Sequence, residues 1–291
     1  MNPKPGIYEV TPEEYFSWDA VSNSRLSLLA KSPKHYKHGF KASTNAMRLG
    51  TLVHNGVLEP LAIIQRYAVI PDYSSHPDNK TAAGARSWSS STGFVKQMEE
   101  QFRTLNFDKL IVGKEEYDRM IGMAGAIAEC KTASELFRDG QAELSIVWED
   151  ASGFLCKARI DWLKNTKRVM VDLKTTLDAA SFEKSMASYG YHRQMAFYRR
   201  GLETLGFTDV VPWVVAVDKE APYGVRAAPI SEDALAVGRR EVEHLLGVLV
   251  ECSFENKWPG YESPREWNLP AWYSEKGDAM ELVIAGESVS V

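Results

Sequence analysis

Two residues of opposite charge, Asp172 and Lys174, stand two positions apart in the otherwise apolar run Val-Met-Val-Asp-Leu-Lys-Thr that ends at Thr175. Side chains at i and i+2 of a strand leave the same face. Asp172 and Lys174 therefore project together, while Val171 and Leu173 enter the opposite layer. Alone, such a pair is often an exposed face with an incidental ion pair. Asp161 changes that reading. It ends the preceding alternating run, on the face that also carries Lys157 and Arg159, and a short turn brings it beside Asp172. Two carboxylates held close repel unless a divalent cation lies between them. Magnesium takes a few carboxylates and completes its shell with water and phosphate oxygens. Glu143, on the outward face of a run further upstream, offers a third carboxylate. Lys174 would orient or deprotonate an attacking water, or neutralise charge building at phosphorus. The set suits metal-assisted hydrolysis of a phosphate ester.

Three strands must position these groups. Ala142 to Trp148 alternates, with Ala142, Leu144, Ile146 and Trp148 opposing Glu143, Ser145 and Val147. Phe154 to Trp162 alternates again, with Phe154, Cys156, Ala158 and Ile160 opposing Leu155, Lys157, Arg159 and Asp161. Arg168 to Thr175 is the third. Turns at Asp150-Ala-Ser-Gly153 and Lys164-Asn-Thr-Lys167 make the three adjacent and antiparallel. Upstream, Thr11 caps a short helix with Pro12 at its first position. Ser22-Asn-Ser24 opens a helix that closes near Ser32-Pro33. A further helix runs from about Asn45 to Leu58, Ile63 to Ile70 reads as a strand, and Ser74 to Ser91 reads as loop, with helical patterns continuing to about Arg138. Downstream come helices at about Asp178–Ala187 and Tyr189–Leu205, strands at Val211–Val217 and near Gly224–Pro229, and a helix from Ser231 to about Cys252. The tail after Trp258 is rich in Pro, Trp and acidic residues and is expected to be irregular. The expected fold is α/β, a central mixed β-sheet flanked by helices in a single domain spanning 1–291. Its parts are a mainly helical 1–140, a sheet-and-helix part at 141–255 and an irregular tail at 256–291.

The whole chain narrows the class. Its 291 residues can bury a sizeable core, and 44% hydrophobic with 25% charged residues is ordinary globular composition. No apolar run of about 18 residues is present, and the N-terminus lacks an apolar signal core, so a cytoplasmic protein with no membrane partner is expected. Cys130, Cys156 and Cys252 form no C-x-x-C pair, which argues against structural zinc or an iron–sulfur cluster. The net charge of −5 is at odds with nucleic-acid binding. Between 151 and 206, however, ten basic residues face five acidic ones, a local balance of +5. That stretch could hold phosphates or be a solvated helix face, and on charge alone the second is the simpler account.

Gly153-Phe-Leu-Cys-Lys-Ala-Arg-Ile-Asp161, followed by Val171-Asp-Leu-Lys-Thr-Thr176, resembles the core of PD-(D/E)xK nucleases. Within them the chain is most similar to the RecE-type exonucleases (exonuclease VIII-like), and more distantly to lambda exonuclease and the RecB nuclease domain. Three further stretches carry the likeness: Ser22-Asn-Ser-Arg-Leu-Ser-Leu-Leu-Ala-Lys-Ser-Pro33, Arg48-Leu-Gly-Thr-Leu-Val-His54, and Tyr191-His-Arg-Gln-Met-Ala-Phe-Tyr198. The resemblance implies that Asp161 bridges metals and that Asp172 and the Leu173 carbonyl bind one ion. It makes Lys174 the catalytic amine and His54 a ligand of a second ion rather than a satisfied core histidine. Glu143 would act on metal directly or through water, and Asp150 is a weaker candidate ligand. Gln194 and Tyr198, at i and i+4 of a helix, would border the active site with Lys157 and Arg159. Ser22, Ser24 and Arg25 could hold a 5′-phosphate, although Ser24 is equally a plain helix cap; Arg48 could serve either role.

The activity implied is a Mg²⁺-dependent exodeoxyribonuclease, with Mn²⁺ as a substitute and two ions per site. It would degrade linear double-stranded DNA from 5′ ends and leave 3′ single strands for recombination in bacteria or phages. The same resemblance implies a homo-oligomeric ring and a single-strand annealing partner. The rivals are a RecB- or Cas4-like nuclease with single-strand or endonuclease activity, and a non-cleaving DNA-end binding module on the same fold.

Overall fold

The computed structural model describes residues 2–39, 45–261, 281–284 and 287–290. In chain order the elements are β1 (Gly6–Tyr8), α1 (Pro12–Ser17), α2 (Asn23–Leu29), α3 (Pro33–His38), α4 (Asn45–Leu58), α5 (Pro60–Arg66), β2 (Tyr67–Ile70), α6 (Gly93–Leu105), β3 (Leu110–Gly113), α7 (Lys114–Glu129) and α8 (Lys131–Leu136). The second half adds β4 (Gly140–Glu149), β5 (Leu155–Lys164), β6 (Val169–Thr176), α9 (Phe182–Tyr189), α10 (Tyr191–Thr204), β7 (Val211–Asp218), β8 (Val225–Pro229) and α11 (Glu232–Glu255). Met1–Trp258 and Pro259–Val291 form two units. The second contains an antiparallel pair, β9 (Glu281–Ile284) and β10 (Glu287–Ser290), where irregular structure was expected. The rest of the tail beyond Tyr261 lies outside the described residues.

In the first unit a six-stranded sheet runs β1-β4-β5-β6-β7-β8, every neighbouring pair antiparallel except the parallel β6–β7. This is the mixed α/β sheet expected from the alternating runs. Alternation decides which layer each residue joins. Leu144, Ile146 and Trp148 of β4, Cys156, Ala158 and Ile160 of β5 and Met170 of β6 pack with Phe197 and Leu202 of α10, Leu245 and Leu249 of α11, and Leu26 and Leu29 of α2. Val171 and Leu173 of β6, with Val215 and Val217 of β7, enter the opposite layer with Leu52 and Val53 of α4 and Met120 and Met123 of α7. Each such side chain contributes roughly 1.5–3 kcal/mol on burial, so a one-residue slip of β6 would forfeit both layers at once. Gly201 lets α10 lie close on the sheet, because a Cβ there would meet the Trp148 ring at 2.7 Å. Gly190, at φ +68, ends α9 and starts α10 without an intervening loop, which a residue with a Cβ does only under strain.

Several short elements differ from the expected ones. Residues 60–66 are helical, not extended, since Pro60 takes the first helical position and only Tyr67–Ile70 pairs, in parallel with β3. Ser32 does not merely close α2; its hydroxyl accepts the His35 N–H and opens α3. The strands β1 and β3 are too short for a period to show. Among the described residues no helix is long and apolar enough to cross a membrane.

Candidate active site

The site lies where β5 and β6 part. Their ladder registers only Trp162↔Val171 and Leu163↔Met170, and the next positions in that register are Asp161 and Asp172. Asp161 is thus not at the strand end, as expected, but within a strand that continues to Lys164. Its Oδ2 accepts the Leu173 N–H at 2.8 Å, so a side chain takes over where the ladder stops. On β4, the flanking pairs Ala142↔Trp162 and Leu144↔Ile160 put Glu143 across from Asp161. Glu143 has φ +54, a conformation that costs on the order of 1–3 kcal/mol for a residue with a side chain. Helix α4 brings His54 from the opposite layer, its Nδ1 3.5 Å from Asp161 Oδ2 and its Nε2 2.6 Å from the Leu173 carbonyl oxygen.

Ligand-capable atoms of His54, Glu143 and Asp161 all lie within 4.8 Å of one another, the one such cluster among the described residues. A carbonyl only accepts, so the 2.6 Å contact puts the ring hydrogen of His54 on Nε2. Burial first, and then the charge of Lys174, hold this imidazole below its ordinary pKa, hence neutral with Nδ1 bare. The bare nitrogen faces Asp161 Oδ2 across 3.5 Å. Burial first, and then the charge of Asp172, push Asp161 up to about 7. Burial and then Asp161 raise Glu143 as well. Two carboxylates that resist ionising, beside an imidazole lone pair, form a donor set that fits a divalent cation. The Leu173 carbonyl, expected to be a ligand, accepts one hydrogen bond from His54 Nε2.

Asp172 and Lys174 leave β6 together, as the alternation requires. Lys174 Nζ lies 2.6 Å from Asp172 Oδ2. The other oxygen, Oδ1, accepts from Gln194 Nε2 at 2.8 Å, and the same amide nitrogen lies 3.2 Å from the Tyr198 hydroxyl. The face shared by Gln194 and Tyr198 thus abuts the Asp172–Lys174 pair. Tyr198 is half-buried, and desolvation of its phenol raises it well above the ordinary value. Burial alone would lower Lys174, but Asp172 and Asp161 outweigh it and raise it, so the amine stays charged. It sits 4.9 Å over the ring of Tyr191, a neighbour that the sequence did not single out as functional.

The remaining candidates fall elsewhere. Lys157 is buried, and its amine donates to the carbonyls of Tyr15 (2.9 Å) and Trp18 (2.6 Å). It pins the N-terminal segment to the sheet and is not presented to a nucleic acid, contrary to expectation. Arg159 Nε donates to Glu143 Oε2 at 2.6 Å. Asp150, at the far end of β4, has both oxygens taken by Arg200 and one also by the Ser152 N–H, so it is no metal ligand here. Ser22, not Ser24, caps α2, and the two hydroxyls lie 2.9 Å apart. With Arg25, whose guanidinium stacks 4.1 Å from the Tyr36 ring centre, they line a groove of about 510 Å³ that includes Tyr15, Trp18 and Phe154 and none of the catalytic candidates. Arg48 is exposed on α4, 3.9 Å from Glu116. Much of the excess of basic residues over 151–206 is taken up within the fold: Lys157, Arg159, Lys174, Arg193, Arg199 and Arg200 all contact carboxylates or carbonyls. The pairing of Arg159 with Glu143 was legible only as a diagonal across β4 and β5.

No curated protein matches this chain. A crystal structure of a candidate exonuclease from Eubacterium rectale superposes with a TM-score of 0.50 at 15% identity, covering 92% of this chain and 98% of that one. At that identity the likeness is one of fold. The structure of SSO0001 aligns over 70% of this chain and 88% of that one, at 14% identity and a TM-score of 0.28, and carries no argument. The family model described as a PDDEXK-like domain of unknown function (DUF3799) matches residues 19–265, a span that takes in His54, Glu143, Asp161, Asp172 and Lys174. The chain belongs to that family.

Proposed function

We propose that this protein is a divalent-metal-dependent exodeoxyribonuclease that acts on linear double-stranded DNA from 5′ ends and leaves 3′ single strands. The observation that carries the reading is the meeting of His54, Glu143 and Asp161 within 4.8 Å at the split beside the Asp172–Lys174 pair. An ion held there, Mg²⁺ or Mn²⁺, would polarise the scissile phosphate and acidify the attacking water. Asp161, Glu143 and His54 Nδ1 would hold one ion, and Asp172 would serve a second. Lys174, kept cationic by its two aspartates, is better suited to neutralise charge at phosphorus than to take a proton. Gln194 orients Asp172, and Tyr198 fixes Gln194. Ser22, Ser24 and Arg25 are the groups proposed for a terminal 5′-phosphate.

The test is a time course on end-labelled linear duplex with and without Mg²⁺, comparing 5′-phosphate with 5′-hydroxyl ends and linear with circular DNA. Metal-dependent shortening of linear duplex from 5′ ends is expected, abolished in Asp161→Ala and Lys174→Ala while end binding persists. Cutting of circles, or of single strands alone, would transfer the reading to a RecB-like nuclease. End binding without turnover would make it a non-cleaving module. A homo-oligomeric ring and an annealing partner belong to the same proposal, and sedimentation of the purified protein with and without duplex tests the ring.

A further inference from the structure

We infer that Arg159 is a positioning residue for the metal group, acting through Glu143. The inference rests on the metal-dependent reading above and adds a residue to it. Three contacts define its place. Arg159 Nε donates to Glu143 Oε2 at 2.6 Å, while Nη1 donates to the Val10 carbonyl at 3.0 Å and to the Ser145 hydroxyl at 3.1 Å. Two of the three contacts belong to fixed framework: Val10 follows β1, and Ser145 is registered directly opposite Arg159 in the β4–β5 ladder. The guanidinium is therefore held from behind and presents one N–H to one carboxylate oxygen. Its side chain is 16% exposed and that of Glu143 21%, so neither group is free to swing through solvent.

Glu143 needs such a hold. Its φ of +54 breaks the ladder at that position, so strand pairing does not fix its direction. With Oε2 tied to Arg159, the carboxylate is fixed in the space it shares with Asp161 and His54. Arg159 also brings a positive charge to a carboxylate that shares its space with Asp161. Groups that orient a ligand from behind typically change metal affinity 10–100-fold when removed. Lysine cannot reproduce the arrangement, because it lacks the fork that reaches Glu143, Val10 and Ser145 together.

The experiment measures Mn²⁺ and Ca²⁺ binding by calorimetry on the full chain without DNA. Wild type, Arg159→Met, Arg159→Lys, Ser145→Ala, Glu143→Gln and the Arg159→Met/Glu143→Gln double variant are compared, with near-ultraviolet circular dichroism to confirm packing. Expected is at least ~10-fold weaker binding in Arg159→Met, a smaller loss in Arg159→Lys and Ser145→Ala, and no further loss when Arg159→Met is added to Glu143→Gln. Unchanged affinity in Arg159→Met overturns the inference. So does an undiminished second loss in the double variant, which would mean that Arg159 acts independently of Glu143. Should Arg159→Met not fold, Ser145→Ala and Arg159→Lys decide by the same comparison against Glu143→Gln. Failure of the wild type to bind either ion is a separate result: it removes the metal-dependent reading and this inference with it.

Discussion

Replacing Asp161 with asparagine should abolish activity and at the same time make the metal-free protein more stable. The carboxylate is buried between β5 and β6 and is raised from 3.8 to about 7, by burial first and by Asp172 next. An acid raised in the folded state adds stability that is full below its unfolded pKa and is lost as pH climbs through the folded value. Over roughly three units, at about 1.36 kcal/mol each, Asp161 therefore withdraws at most ~4 kcal/mol between pH 4 and pH 7. Local relaxation and water entry reduce that to ~2 kcal/mol. Asparagine keeps an oxygen to accept the Leu173 N–H, seen at 2.8 Å in the wild type, and carries no charge to desolvate. In EDTA at pH 8, Asp161→Asn should melt about 4–8 °C above wild type, with the gap closing steadily toward pH 4. Saturating Mg²⁺ should raise the wild type, by ~2.7 kcal/mol at 100 times its Kd, and leave the variant unmoved. Thermal unfolding followed by far-ultraviolet circular dichroism reads both effects. A variant that melts below wild type at pH 8 in EDTA would refute the claim that this carboxylate is held against its own solvation.

Three further outcomes follow from the same geometry. Arg200→Met strips Asp150 of its guanidinium partner and leaves a buried carboxylate with the Ser152 N–H alone, which should cost about 3 kcal/mol in urea unfolding at pH 7. Burial would raise Asp150, but Arg200 and Ser152 outweigh it and hold it below its ordinary value; that stability is present above the unfolded pKa and lost as pH falls, so the penalty should shrink in acid. Gly201→Ala drives a Cβ to 2.7 Å from the Trp148 ring, so α10 must shift and stability should fall by about 1–3 kcal/mol, read from the urea midpoint. Gln194→Leu removes the amide from Asp172 Oδ1 without touching the cluster of His54, Glu143 and Asp161; it should cut the turnover rate on linear duplex at least ~10-fold, which a time course on end-labelled duplex checks.

What the sequence disclosed and what it withheld divide along one physical line, between period and long-range contact. Alternation assigned Leu144, Ile146, Trp148, Cys156, Ala158, Ile160, Val171 and Leu173 to their layers, because a period of two is imposed by the backbone itself; it fails at Trp162, which lies in the layer opposite Ile160 beyond the break at Glu143. The same logic paired Asp172 with Lys174 and put Asp161 on a neighbouring strand. Lys157 shows the limit. Its parity was right, yet two carbonyls from α1 and its C-terminal end claim the amine, and no local signal announces which distant backbone will lie over a strand. The 151–206 charge excess decided little for a related reason: a count of charges cannot see that Arg200 and Asp150 meet across 50 residues. Asp172 is the most instructive case. Adjacent strands were expected to press two aspartates onto one ion, but the ladder ends one position too early, and the strands part between them. Glu143, with its strained backbone, joins Asp161 and His54, and Asp172 pairs with Lys174 and Gln194. The split of the sheet shapes this site as much as the tripeptide does, since a continuous β5–β6 ladder would take up the Leu173 N–H that Asp161 Oδ2 accepts beside His54 and Glu143.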